Sequence, residues 1–273
     1  MTAQIVRTSA HWLALREPAD AAARSVELVQ RLGRHLPASG RLVIHDLGGG
    51  SGAMGRWLAP RLPGRQHWVV HDRDADLLEL ALAHPPGPAA DGAAVTFEVR
   101  RSDITRLAPG ELADANLVVA SALLDMLTAD ELAAMLGACT ASGCPVLLAL
   151  TVVGRVALAP ADPLDGRLTA AFNARQRRTT AAGRLLGPDA VEAAAEEFSR
   201  AGAEVLGRPS PWRLDAAHAE LLAEWFGGWV EAACKQEPTL AGAAGAYRDR
   251  RLAQAAAGEL TVTVEHADLL AAP

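Results

Sequence analysis

Five short apolar runs, at residues 42–47, 67–71, 95–99, 117–120 and 146–153, are separated by segments whose apolar side chains recur at helical spacing. Few folds accommodate that alternation. Strands too apolar to face water must be covered on both sides, and helices between them supply the cover, giving a parallel sheet joined by right-handed crossovers. The chain is therefore expected to be a doubly wound α/β protein, Rossmann-like in outline. Half of its 273 residues are hydrophobic and 21% are charged, enough apolar material for one sizeable core and too little charge for disorder.

Val26, Val29, Leu32 and Leu36 predict a helix over 19–36, and Met54, Trp57, Leu58 and Leu62 another after the first strand. A helix over 77–83 stops at Pro85-Pro86-Gly87-Pro88, and Thr128 with Glu131 predicts a capping box ahead of Leu132, Met135 and Leu136. Beyond Val153 the pattern loosens into a Gly/Pro-rich loop at 154–166, helices near 168–178 and 188–201, and a strand at 203–206. One domain is expected over 1–273: a helical N-terminal segment (1–40), a core (41–153), and a second half (154–273) with a helical insertion at about 214–257 and a final strand at about 259–266.

Twenty-six basic against 32 acidic residues leave a net charge of −6, which disfavours nucleic acid as the main partner. The longest apolar run, 145–153, is far short of the ~20 residues that span a bilayer, so no membrane partner is expected. Cys139, Cys144 and Cys234 form no CxxC pair, which predicts neither a disulfide framework nor a thiolate metal site and fits a reducing, cytoplasmic setting. Oligomeric state is left open, a homodimer included.

The phrase Asp46-Leu47-Gly48-Gly49-Gly50-Ser51-Gly52 falls where the first strand meets its helix, the edge at which doubly wound sheets bind ligands. Two readings compete there. Gly50 to Gly55 satisfies GxGxxG, and Asp72 lies 20 residues beyond Gly52, as a dinucleotide site requires. Asp46, however, ends the strand two residues before the first glycine, where a carboxylate repels pyrophosphate and accepts an ammonium. The ligand is expected to carry a positive charge.

Asp46-x-Gly48-x-Gly50-x-Gly52 resembles motif I of the class I S-adenosylmethionine-dependent methyltransferases, of the small-molecule type. The resemblance covers about 20–153 and continues in the final strand order, and it implies a seven-stranded Rossmann-like sheet with a helical N-terminal arm and a helical cap. It also implies S-adenosyl-L-methionine as cofactor, Gly48, Gly50 and Gly52 wrapping its amino-acid part, and Asp46 beside them. Asp72 matches the acid that accepts the ribose hydroxyls, with Arg73 next to it. Asp103, followed by Ile104, matches the acid facing the adenine amino group, and Ser121 would line the cofactor floor. A single acid on a loop is ordinarily a solvated turn residue; three in order at successive strand ends carry the likeness.

The activity implied is in-line methyl transfer to a small molecule, of secondary or specialised metabolism. The alternatives are a NAD(P)-dependent oxidoreductase and a non-catalytic scaffold that binds the same cofactor. Ser121-Ala122-Leu123-Leu124-Asp125 lacks the Asn/Asp-Pro-Pro-Tyr/Phe sequence that resembles enzymes methylating nucleobase or glutamine nitrogens. No clustered His and carboxylates suggest a metal, and no catalytic residue is assigned. Asp125 is a candidate to steer the substrate or take a proton. Trp12 and Arg16 on the N-terminal arm, Arg155, Asn173 and Arg177 after strand five, and His218, Trp225 and Trp229 on one face of a later helix are candidate substrate contacts. Against them stand plainer roles: a solvated charge run for the arginines, and core docking for the tryptophans.

Overall fold

The computed structural model describes residues 9–108 and 110–273, so residues 1–8 of the expected N-terminal segment lie outside it. Among the described residues the strands are β1 (Arg41–Leu47), β2 (Arg65–Asp72), β3 (Val95–Arg101), β4 (Leu117–Ser121), β5 (Val146–Ala159), β6 (Thr179–Thr180), β7 (Gly183–Arg184), β8 (Glu204–Pro209), β9 (Trp212–Leu214) and β10 (Thr261–Ala272). The helices are α1 (Ala10–Ala23), α2 (Val26–Leu32), α3 (Ala53–Leu58), α4 (Ala75–Ala83), α5 (Ala129–Ala141), α6 (Asp165–Gln176), α7 (Ala190–Arg200), α8 (Ala219–Gln236) and α9 (Ala241–Ala256).

The main sheet runs β3-β2-β1-β4-β5-β10-β8, with β9 pairing β10 at one end. From β3 to β5 every pairing is parallel, while β10 is antiparallel to β5, β8 and β9. The doubly wound architecture expected from the apolar alternation is present, with β9 as an eighth strand. Period-two side-chain alternation divides the core into two layers. Val118, Ala120, Val146 and Leu148 pack beneath α5 and α7, whereas Leu117, Val119, Leu147 and Ala149 pack beneath α2 and α3. The capping box forms as predicted, with Thr128 and Glu131 satisfying each other's backbone N–H groups.

Four boundaries differ from expectation. The helix expected at 19–36 is two helices, because Arg24 leaves helical geometry (ψ 139) and the Ser25 side chain accepts from Leu28 N–H to start α2 afresh. The first helix also starts well before residue 19: α1 begins at the Ser9 cap and has Pro18 inside it. Strand β5 does not stop at Val153: its pairing with β10 continues to Thr261 opposite Ala159, and Gly154, at φ +72, is accommodated within the strand. Likewise β10 runs on to Ala272, because β5 and β8 flank it along that stretch.

A third apolar cluster lies outside the two layers. Trp212 and Leu214 of β9, Leu222, Phe226 and Trp229 of α8, and Tyr247 of α9 pack with Leu168 of α6 and Ala19 of α1. Its polar tie is Arg251, which donates to both oxygens of Asp165 at 2.7 and 2.8 Å while Tyr247 donates to the same carboxylate at 2.6 Å. The insertion therefore forms a packed cap on the far ends of β5 and β10.

Candidate functional site

Strand order reverses at β1, between β2 and β4, and the loop leaving β1 there is the glycine turn. Gly48, Gly50 and Gly52 adopt φ of +65, +53 and +80, a region that other residues rarely occupy. Gly52 caps α3 in that left-handed conformation. Gly49, which the motif leaves unspecified, is held by contact instead: a Cβ there would stand 2.6 Å from Asp46 Oδ2 and 2.8 Å from Val70. Its N–H donates to the His71 carbonyl at 3.0 Å, folding the turn down onto Asp46.

Asp46 is 0% exposed, and neither carboxylate oxygen has a hydrogen-bond partner among the described residues. Burial pushes its carboxyl up to about 7; the positive charges of Arg24 and Arg56 pull it down, and the negative charge of Asp72 adds to the rise. An unpartnered buried carboxylate is costly unless something completes it. Here the chemistry asks for a cationic donor.

Sequence reasoning missed Arg24. It sits at the break between α1 and α2 and is 4% exposed. Its Nη2 donates to Ser121 Oγ at 3.1 Å and its guanidinium lies 5.4 Å from the Trp57 ring centroid, yet Nε and Nη1 have no partner among the described residues. Burial lowers its pKa, with Asp20, Asp268 and Asp46 opposing. Asp20 is taken by Arg16, through bonds of 2.9 and 3.1 Å, and by Trp212 Nε1 at 2.9 Å. Asp268 accepts from Ser25 N–H and Leu150 N–H, both at 2.8 Å. No motif marks Arg24; the one visible signal was a lone arginine next to a capping serine.

The other cofactor candidates fall along the same edge. Asp72 ends β2 and accepts from Gly50 N–H and Asp74 N–H, both at 2.9 Å, one on each oxygen. A carboxylate offers about four lone-pair sites, so each oxygen can still accept from a hydroxyl. Arg73 beside it is exposed. Asp103 follows β3 and caps the short turn at Ile104, accepting from Thr105 N–H at 3.1 Å and its hydroxyl at 2.7 Å, while Ile104 is buried. Ser121 ends β4 and holds Arg24. Across the turn lies α1: Leu13 would meet a Cβ at Gly50 at 3.6 Å, and Trp57 Nε1 donates to the Ala21 carbonyl at 3.0 Å.

The substrate-side candidates divide. Arg16 lies 4.9 Å from the Trp212 ring centroid and 6.0 Å from that of Trp12, and the two tryptophans are 6.3 Å apart. Asp125, in the turn after β4, feels the charges of Arg16 and Arg178, and its pKa is raised chiefly by burial. Arg155 and Asn173 line a cleft of about 590 Å³ between β5 and α6, where Asn173 donates to the Gly154 carbonyl at 2.7 Å. Arg177 is engaged elsewhere, bonded through Nε and Nη2 to Asp189 at 2.6 and 2.5 Å. His218 pairs with Asp215 at 3.0 Å just before α8. Trp225 and Trp229 stack with centroids 5.5 Å apart, and Trp229, 1% exposed, belongs to the packed core of the cap. Among the described residues no three metal-ligating side chains gather, and no helix is long and apolar enough to cross a membrane.

No family model matches the chain, and no curated protein matches it. Solved structures similar to it include a SAM-dependent methyltransferase from Thiobacillus denitrificans in complex with S-adenosyl-L-homocysteine, at 14% identity, 98% of this chain, 100% of that chain and TM-score 0.45. A cyclopropane synthase from Mycobacterium tuberculosis overlays at 13% identity, covering 90% of this chain and 83% of that one, with TM-score 0.46. Geranyl diphosphate C-methyltransferase from Streptomyces coelicolor A3(2) overlays at 10% identity, 90% and 79% coverage, and TM-score 0.44. The fold of the chain rests on its own strand order, β3-β2-β1-β4-β5-β10-β8.

Proposed function

We propose that the chain is an S-adenosylmethionine-dependent methyltransferase acting on a small molecule of specialised metabolism. The observation that carries this reading is Asp46: a fully buried carboxylate with both oxygens unbonded among the described residues, under a glycine turn at the switch point of the sheet. That is a receptor for an ammonium group, and Asp72 follows at the next strand end with acceptor sites left for ribose hydroxyls. S-adenosylmethionine, when bound, supplies an electrophilic methyl group, so the protein's part is to align the acceptor and exclude water.

The dinucleotide reading is weaker on the same geometry. Its helix, α3, has only six residues, which gives little dipole to hold pyrophosphate, and Asp46 opposes an anion. Residues 41–153 form the cofactor half by this reading, and α1 with residues 154–273 the acceptor side, all in one domain. Asp125 is our candidate to steer the acceptor or take its proton, since its raised pKa brings it nearer neutrality. Trp12, Arg16, Arg155 and Asn173 are candidate walls. Three free cysteines fit a reducing cytoplasm.

The test is calorimetric titration with S-adenosylhomocysteine and, separately, NADH. Binding of the first alone is expected; binding of NADH alone refutes the reading. Binding of S-adenosylhomocysteine without methyl transfer to any component of a metabolite extract would make the chain a scaffold.

A further inference from the structure

We propose that Arg24 and Asp46 together form a receptor for the zwitterionic head of an α-amino acid, Arg24 holding its carboxylate and Asp46 its ammonium. This rests on the reading above for the rest of the ligand, the adenosine end along Asp72. The argument is one of unused bonding capacity. Arg24 Nε and Nη1, and both oxygens of Asp46, are buried polar atoms with no hydrogen-bond partner among the described residues. Each group lies within the other's field, yet they are not bonded to one another.

Two opposite charges in a dry site normally close into an ion pair, because each alone is expensive. These are not bonded to each other. Arg24 is fixed by its bond to Ser121 Oγ and by the Trp57 ring, both of which orient the guanidinium without using its remaining edge. Asp46 is fixed on β1, with Gly49 pressed against it. Neighbouring acids do not take up the free edge of Arg24: Asp20 is bonded to Arg16 and Trp212, and Asp268 to the backbone of Ser25 and Leu150. A ligand whose ammonium and carboxylate sit on one carbon satisfies both groups at once, and an arginine edge matches a carboxylate by two parallel bonds.

The experiment compares three ligands that share adenosine and sulfur: S-adenosylhomocysteine; the 3-aminopropyl thioether, which lacks only the carboxylate; and methylthioadenosine, which lacks the whole amino-acid head. Calorimetry on the parent should rank them in that order, with loss of the carboxylate alone weakening binding about ten- to a hundredfold, the range for hydrogen bonds between charged groups. In Arg24→Met the gap between the first two should vanish while methylthioadenosine binds as before, which a purely structural role for Arg24 does not predict. Arg24→Lys, which keeps the charge and loses the fork, should retain part of the gap and guards against misfolding of the methionine variant. Equal binding of S-adenosylhomocysteine and the 3-aminopropyl thioether by the parent overturns this inference and leaves the methyltransferase reading standing. Failure of all three to bind overturns both.

Discussion

Arg56 of α3 donates from Nε and Nη2 to the two oxygens of Glu17 of α1, at 2.7 and 2.6 Å, across 39 residues of sequence. The same arginine reaches the Ser51 carbonyl at 2.6 Å through Nη1, so one side chain ties the glycine turn to the helix that covers it. With α1 packed against the turn and Asp46 fully buried, the proposed function predicts that ligand exchange requires α1 to move, with the Glu17–Arg56 pair as a latch on that motion. With both partners about a quarter exposed (28% and 23%), it contributes on the order of 1 kcal/mol. In Glu17→Gln we expect S-adenosylhomocysteine to dissociate about fivefold faster in stopped-flow competition, with the fold intact by circular dichroism. An unchanged dissociation rate would show that α1 is not the gate.

Asp46 gives the ligand-free protein a specific pH dependence. Its carboxyl rises from 3.8 to about 7 on folding, so between those values the folded state holds a proton that the unfolded chain has released. Stability therefore falls as pH rises through that window. Removing the ionisable group removes the loss: Asp46→Asn, free of ligand at pH 8, should be more stable than the parent by a few kcal/mol, on the order of 2 to 4. Its affinity for S-adenosylhomocysteine should drop at least about tenfold. In the parent that affinity should weaken as pH falls below 7, since the ammonium needs the ionised carboxylate, and the asparagine variant should lose this slope. Urea midpoints and calorimetry across pH 5–8 measure both effects.

For the two stacked tryptophans the structure separates the outcomes. Trp229 is nearly inaccessible within the cap core, whereas Trp225 is half-buried against it. Trp229→Ala is expected to cost ~3 to 5 kcal/mol, read as a large fall in the urea midpoint. Trp225→Ala should cost clearly less. Equal losses would mean that Trp225 is packed as deeply as its neighbour.

His71 acts in the opposite direction to Asp46. It is buried between β1 and β3, with Nε2 2.9 Å from His45 Nδ1 and Nδ1 3.0 Å from Ser102 Oγ, and burial lowers its pKa from 6.5 to about 4. The unfolded chain takes up a proton below 6.5 that the folded protein refuses until about 4, so stability drains away as pH falls across that interval. His71→Gln should be less stable at pH 8 but show a shallower decline of urea midpoint between pH 6.5 and 4. A decline as steep as the parent's would place the acid sensitivity elsewhere.

How much was legible follows from how local each signal is. The paired layers were readable because Leu117 and Val119 alternate with Val118 and Ala120, and period two needs no knowledge of distant chain. The strand-end acids were readable because Asp46 adjoins its own glycines. Arg24 was not: Ser121, which orients it, lies 97 residues away, and Asp268, which holds Ser25 beside it, lies 243 residues from that serine. The split between α1 and α2 could have been found from Ser25 as a cap, but the run Val26, Val29, Leu32 masked it. The length of β10 was hidden for a different reason. Ala267-Asp268-Leu269-Leu270-Ala271-Ala272 has little intrinsic strand preference, and only the neighbours β5 and β8 impose the extended form.

The pairing of β9 with β10, in which Leu214 stands opposite Val262, brings the two ends of the cap insertion side by side. A segment that leaves and returns through one short ladder behaves as a cassette: its interior can lengthen, shrink or be exchanged, at a chain-closure cost that grows only slowly with length, while the register of β10 against β5 stays put. The interior of this segment can therefore change without altering the glycine turn after β1. Proteins sharing this glycine turn are accordingly expected to diverge first between β9 and β10, leaving the buried charges at the switch point undisturbed.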